Sequence, residues 1–239
     1  MHARRTSSQA QVALALLLRR VEYGESDLVV TLLTDTIGRV SALARGARKS
    51  VKRFGGVLEP MHTLRIAFDD RSGAELVVLR EAKLERARPF LVTSLERMQA
   101  AGQALNWARK AAPPRTPEPE VWAAMEALLD QLADPSDETP PRTRLAATGL
   151  RLLSAFGWGI DFERCVGCGK LASPGQAAAV DAKRGGLVCR NCGGARQRLS
   201  GSERALLRAA SSGGALDDAS ASLALELVEQ ALKAHGGID

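Results

Sequence analysis

Four cysteines, and only four, stand as two pairs: Cys165-Val-Gly-Cys168 and Cys189-Arg-Asn-Cys192, with twenty residues between them. A C-x2-C turn lets two thiolates converge on one ion, and two such turns complete a closed tetrahedron around zinc. Glycine follows each pair (Gly169, and Gly193 with Gly194), where a left-handed backbone can point amides back at the sulfurs. Two disulfides or a redox pair are the alternatives, but a redox pair does not call for a second copy. One structural Zn2+ held by Cys165, Cys168, Cys189 and Cys192 is therefore expected. With all four positions filled by sulfur, no site remains for a catalytic water. The pattern also implies a reducing, cytoplasmic setting. Arg4 and Arg5 before the apolar stretch Val12 to Leu18 mimic a secretory leader, yet the stretch is short and runs straight into Arg19-Arg20.

The chain has 239 residues, enough for one large domain or two to three small ones, and no apolar run approaches the ~20 residues of a membrane helix. Its net charge of +6 is unevenly spread. Arg39, Arg45, Arg48, Lys49, Lys52 and Arg53 form a run of six cations without an acid. Arg164 to Leu199 has seven basic residues against Asp181 alone, whereas Glu118 to Glu138 has seven acids and no Lys or Arg. Two segments are suited to phosphate and one to facing away from it.

Residues 1–11 read as a loose arm. Five short β-type runs then follow within roughly 80 residues: Val12–Val21, Leu28–Leu33, Arg39–Ala44, Met61–Phe68 and, after the turn Asp69–Gly73, Glu75–Arg80. That count suits a five-stranded OB-type barrel, though an SH3-like barrel or a sandwich stays open. Thr93-Ser-Leu-Glu96 has the form of a capping box, opening a helix with Leu95, Met98 and Leu105 inward. Further helices carry Val121, Met125, Leu128 and Leu132, then Leu145, Leu152 and Phe156. After the cysteines, Ser200-Gly-Ser-Glu203 opens a fourth helix (Ala205–Ala210), and a fifth covers Leu223–Leu232. The expected class is α+β and multidomain: an OB-type barrel (1–80), a helical bundle (81–160 plus 199–239) and a zinc module inserted in it (161–198).

No P-loop, G-x-S-x-G elbow or H-E-x-x-H is present, and His2, His62 and His235 are scattered. Nothing in the sequence argues for an enzyme. A cationic edge on an OB-type barrel suits nucleic acid, because it can track a backbone without reading bases. Six phosphate contacts would give a log–log salt slope of roughly −4 on single strands. The barrel's aromatics are Tyr23, Phe54 and Phe68, some of which its core must use, so charge-dominated, sequence-tolerant binding is expected.

Tyr23-Gly-Glu-Ser-Asp-Leu-Val-Val-Thr-Leu-Leu-Thr34, continued by Gly38-Arg39-Val40 and Ala44-Arg45-Gly46-Ala-Arg48-Lys49-Ser50, resembles the N-terminal barrel of bacterial RecO recombination-repair proteins. Val57-Leu58-Glu59-Pro60 and Leu79-Arg80-Glu81 fit its continuation. Arg151-Leu-Leu-Ser-Ala-Phe-Gly157 before Cys165 resembles the family's helix leading into its zinc module, although some members lack the cysteines. The resemblance implies a non-enzymatic mediator that binds single- and double-stranded DNA and anneals complementary strands. It also implies action with RecR and RecF to load RecA onto strands covered by the single-strand-binding protein SSB. Arg39, Arg45, Arg48, Lys49, Lys52 and Arg53 are the expected phosphate contacts, with Lys83, Arg86 and Arg88 behind them. A zinc-ribbon nucleic-acid module of transcription or translation is the main alternative.

Overall fold

The computed structural model describes residues 10–70 and 74–237, so most of the expected N-terminal arm and the tip of the Asp69–Gly73 turn lie outside the described residues. Five strands form first: β1 (Gln11–Tyr23), β2 (Asp27–Thr34), β3 (Gly38–Ala44), β4 (Thr63–Asp69) and β5 (Val77–Arg86). They close into a barrel in the order β1-β2-β3-β5-β4, with β4 pairing back to β1 and β3 parallel to β5. This closed five-stranded arrangement is OB-type and leaves no free sheet edge.

Alternation builds the barrel. In β3 every second residue is buried, so Val40, Ala42 and Ala44 enter the core and Arg39, Ser41 and Leu43 stay outside. Leu28, Val30 and Leu32 of β2, Ala13, Ala15 and Leu17 of β1, and Phe54, Phe68 and Leu79 join the same cluster. Past Leu17 a bulge shifts the register of β1, and its last turn of pairs continues with β2 to Tyr23–Asp27. β5 runs on to Arg86, so its strand crosses residue 80.

The structure divides into two compact units. One is residues 1–88 with 112–122; the other is 89–111 with 123–239. The 112–122 segment lies along the start of β3: the Arg115 amide donates to the Arg39 carbonyl at 2.8 Å. Gly38 permits this approach. Its φ is +69°, and a Cβ there would sit 1.8 Å from the Thr116 carbonyl oxygen.

The second unit contains α1 (Leu95–Ala111), most of α2 (Pro119–Ala133), α3 (Pro141–Ala155), α4 (Gly201–Ser211) and α5 (Asp218–Gly236). α3 packs on α1, α4 and α5, and at Gly149 the neighbours leave no room for a side chain: a Cβ would meet Val228 at 2.9 Å and Trp107 at 3.0 Å. Val121, Met125, Leu128 and Leu132 are buried on α2 as their spacing predicts. α1 departs from expectation. Leu95 is 68% exposed, and the buried face is Ala100, Ala101, Ala104, Leu105, Trp107 and Ala108. The expected Thr93–Glu96 box does not form either, because a 3₁₀ turn (Pro89–Thr93) uses the Thr93 hydroxyl to bond the Phe90 carbonyl. Ser94 instead flanks the helix, near the Arg97 amide. The box at Ser200 and Glu203 does form, each side chain bonding the other's amide.

Between α3 and α4 lies a small sheet in the order β6-β8-β7-β9, from β6 (Asp161–Cys165), β7 (Ala178–Asp181), β8 (Gly186–Leu187) and β9 (Gln197–Leu199). Arg204 of α4 ties it down. The residue is 6% exposed, and its guanidinium donates to the carbonyls of Phe162, Ser173 and Gln176 at 2.7–3.2 Å.

Candidate metal centre and nucleic-acid interface

The two C-x2-C turns bring Cys165, Cys168, Cys189 and Cys192 together, all four Sγ atoms lying within 4.8 Å of one another. Cys165 ends β6; Cys189 caps and Cys192 ends a 3₁₀ turn (Arg190–Cys192) that closes at Gly193 with φ +100°. The Cys168 and Cys189 sulfurs are 3.8 Å apart. A tetrahedral cation with metal–sulfur bonds of ~2.3 Å sets its sulfurs ~3.8 Å apart, so the cluster fits a metal ion. Protonation points the same way. The amides of Cys189, Gly167 and Cys168 pull the Cys165 thiol down to about 6, and the Cys189 amide stands 3.4 Å from its sulfur. Hydrogen bonding of the Cys192 thiol to the sulfurs of Cys189, Cys168 and Cys165, which holds its proton in place, pushes that thiol up to about 12. Four sulfurs this close can all be thiolates only around a cation. Among the described residues this is the one cluster of ligating side chains with such geometry. The acidic run 118–138 does other work: Asp134 and Asp137 bond the turn amides of Ser136 and Thr139.

The cationic run leaves β3 as a chain of turns. Arg45, Arg48, Lys49, Lys52 and Arg53 are all exposed. The Tyr23-Gly-Glu-Ser-Asp turn holds the loop in place: Asp27 accepts from the Gly46 amide at 2.7 Å, the Ser26 carbonyl from the Arg48 amide at 3.0 Å, and Glu22 from the Arg48 guanidinium at 3.1 Å. Arg53 reaches back to the Arg45 carbonyl at 2.7 Å, with its guanidinium 5.2 Å from the centre of the Phe54 ring. The cations thus stand on an ordered loop. The signal for this was the acid and serine of the turn, which charge counting passes over. A groove of about 530 Å3 separates loop from β1, and its two acids, Glu22 and Glu59, are each paired with an arginine, Arg48 and Arg20.

The remaining candidates divide. Lys83 and Arg86 are exposed on β5, Lys83 within 3.5 Å of Glu81. Arg39 is half-buried and its Nε donates to the Ala112 carbonyl at 2.6 Å, which turns it towards the 112–116 segment and away from the loop. Arg88 corrects the expectation outright. It is 2% exposed, and its guanidinium donates to Thr63 Oγ1 at 2.9 Å and lies 3.3 Å from the Met61 carbonyl, so it cannot present charge to a phosphate. Its amide donates to His62 Nδ1 at 3.1 Å, and burial, then the Arg88 charge, lowers the His62 pKa. His62 is a neutral acceptor that braces the end of the barrel.

Residues 12–88 match the family described as Recombination protein O N terminal, and residues 92–238 match Recombination protein O C terminal. The chain belongs to the RecO family. Relatives named DNA repair protein RecO include that of Anaeromyxobacter sp. (strain K), 40% identical over 178 residues, which are 74% of this chain and 68% of the relative. That of Myxococcus xanthus is 36% identical over 179 residues, 75% of this chain and 71% of the relative. That of Geobacter sulfurreducens is 32% identical with the same shares, 75% and 71%. The two RecO matches meet at the boundary between the barrel strands and the 3₁₀ turn before α1, and the second spans helices and cysteines alike. No helix among the described residues is long and apolar enough to cross a membrane.

Proposed function

We propose that this chain is a recombination mediator in DNA repair with no catalytic chemistry of its own. It binds single- and double-stranded DNA, anneals complementary strands and helps load RecA on DNA coated with SSB. The observation that carries this reading is the ordered loop of five exposed cations on an OB-type barrel of a RecO-family chain. Arg45, Arg48, Lys49, Lys52 and Arg53 are the phosphate contacts, and Lys83 and Arg86 extend the same charge along β5. Arg39 steadies the interface from behind. A surface that binds phosphate without reading bases can hold two strands, screen their repulsion and leave the base edges free to pair. Five such contacts correspond to a salt slope of roughly −3.5 on single strands.

The metal is zinc, held by Cys165, Cys168, Cys189 and Cys192, and its part is structural: four thiolates leave no open coordination position. RecR, SSB and RecF are its protein partners by family, and the protein works in the cytoplasm, at the nucleoid. The deciding experiment is annealing of complementary oligonucleotides already coated with SSB, with and without the protein and with no nucleotide added. Acceleration supports the mediator. DNA binding without acceleration reduces the protein to a passive binder and defeats this reading.

A further inference from the structure

The four clustered sulfurs are not equally placed. Cys165 is 4% exposed, and the Cys189 amide stands 3.4 Å from its sulfur. Cys189 and Cys192 are half-buried, whereas Cys168 is exposed. Its two chain neighbours, Gly167 and Gly169, bring no side chain to cover it. Across the cluster its sulfur lies 3.8 Å from that of Cys189. A disulfide holds its sulfurs at about 2.05 Å, so a movement of about 2 Å would join the two. The most exposed cysteine thus has a second thiol within reach, the arrangement that oxidation of one sulfur and resolution by another requires.

The surroundings favour attack on an oxidant. A groove of about 560 Å3 has Cys165 and Cys189 in its wall beside Lys170, Arg190 and Arg198, and its lining includes no acid. All three cations are exposed. Cysteines in electropositive, partly open surroundings are the reactive ones, because nearby cations favour the thiolate. The other end of the module is held without sulfur. Arg204 of α4 bonds the carbonyls of Phe162, Ser173 and Gln176, so the segment stays anchored when its sulfur end opens.

We propose that Cys168 and Cys189 form an oxidation site, which hydrogen peroxide closes into a reversible disulfide that releases the metal ion and loosens residues 161–198. The inference rests on the reading of the cluster as a zinc site. The Cys168 thiolate attacks one peroxide oxygen: the S–O bond forms, the O–O bond breaks and hydroxide leaves, so the sulfur gives up two electrons and becomes a sulfenic acid. The Cys189 thiolate then attacks that sulfur: the S–S bond forms, the S–O bond breaks and a second hydroxide leaves. Two protons from solvent turn both hydroxides into water. In sum, two thiolates, one peroxide and two protons give one disulfide and two waters. Cys165 and Cys192 remain, two ligands where a closed tetrahedral site needs four. A thiol reductant reverses the bond, and the Arg204 anchor holds the segment where it can close again. In a reducing compartment such a disulfide is transient, which suits a sensing site.

The test uses the zinc-loaded full chain, with zinc content measured before hydrogen peroxide is added. Release is followed with a chromogenic chelator, the disulfide by mass spectrometry after alkylation of the remaining thiols, and opening by limited proteolysis. Wild type is expected to lose its zinc, to yield the linked peptides of Cys168 and Cys189, and to become cleavable within 161–198. Dithiothreitol with added zinc is expected to restore it. Cys168→His keeps four ligands, as three cysteines and a histidine, but has no sulfur there to oxidise, and its release is expected to be about 10-fold slower or more. Release from Cys168→His at the wild-type rate overturns the proposal, and so does a disulfide mapped to any other pair. Zinc retained under peroxide that fully oxidises free cysteine overturns it as well. The wild-type map decides even where Cys168→His takes up no zinc. A wild-type chain that binds no zinc before peroxide is added defeats the zinc reading itself, and the release with it.

Discussion

The barrel and the cysteine module are both small β structures, but they are held by different means. Barrel strands run 7–13 residues and enclose a continuous core from Ala13 to Ala82. The module's four strands run 2–5 residues and share only a few buried side chains, among them Phe162, Val180, Leu187, Val188 and Leu199. A barrel can persist on apolar burial, at about 1.5–3 kcal/mol for each large side chain removed from water. Four short strands have little such core, and a metal ion held by the four sulfurs would replace what is missing. A core tolerates a bare polar surface above it, which frees the barrel loop to carry charge.

Removing the metal is therefore the harshest way to test the contrast. A closed four-sulfur zinc site contributes about 10–16 kcal/mol of apparent binding energy, which is folding energy for the part it holds. Chelation, or Cys165→Ser with Cys168→Ser, is expected to open residues 161–198 to protease and hydrogen exchange. Barrel amides in β1–β5 stay protected. Simultaneous loss of protection in both regions would show that the barrel does not stand on its core alone.

The barrel's weak point is backbone geometry. Gly38→Ala places a Cβ in contact with the Thr116 carbonyl at a φ of +69°, and about 2–4 kcal/mol of destabilisation is expected. Gly24→Ala, at φ +58° with no atom within 4 Å of the new Cβ, costs about 1 kcal/mol. Denaturant midpoints of the two variants separate the clash from the strain, and equal losses would mean that the 112–116 segment moves aside freely.

Most of the architecture was legible because its signals are local. The cysteine spacing names its own geometry, strand alternation marks which residues turn inward, and Ser200 with Glu203 closes a box within one turn. What escaped was set by contacts far along the chain. Arg88 counts as a surface cation until the Met61 carbonyl, at a turn with φ +75°, and the Thr63 hydroxyl are seen around it. Arg39 finds its acceptor 73 residues away. The parallel pairing of β3 with β5 has no periodic trace, and on α1 alanines form the buried face because close helix packing selects small residues where a leucine count does not look. Charge in a sequence is visible; which carbonyl needs a donor is not.

The two cationic regions can be set against each other directly. Lys49→Glu with Lys52→Glu is expected to weaken single-strand binding about 10-fold or more and to lower the salt slope by about 1.4, with an unchanged melting temperature. Reversal of Lys170, Arg190 and Arg198 on the module is expected to leave affinity within about 2-fold. The opposite pattern would move the interface to the module.

The smallest effect concerns the helical unit, which has neither a barrel core nor a metal at its α2–α3 turn. Arg144 grips Asp137 with two hydrogen bonds at 2.8 and 2.9 Å, and this pairing, ahead of the bond from the Thr139 amide, lowers the Asp137 carboxyl to about 2. The unfolded value is about 3.9. Because the folded pKa is the lower one, the stabilisation is fully present above about pH 4 and is lost as pH falls towards 2. The Arg144 side chain is 33% exposed, so solvent screens the pair and about 1 kcal/mol is expected. Asp137→Asn should thus be less stable than wild type at pH 7, and the difference should shrink as pH falls from about 4 and vanish below about pH 2. A gap that persists unchanged well below pH 2 would show that the charge is not its source, since the Thr139 turn bond is one that an amide oxygen also accepts.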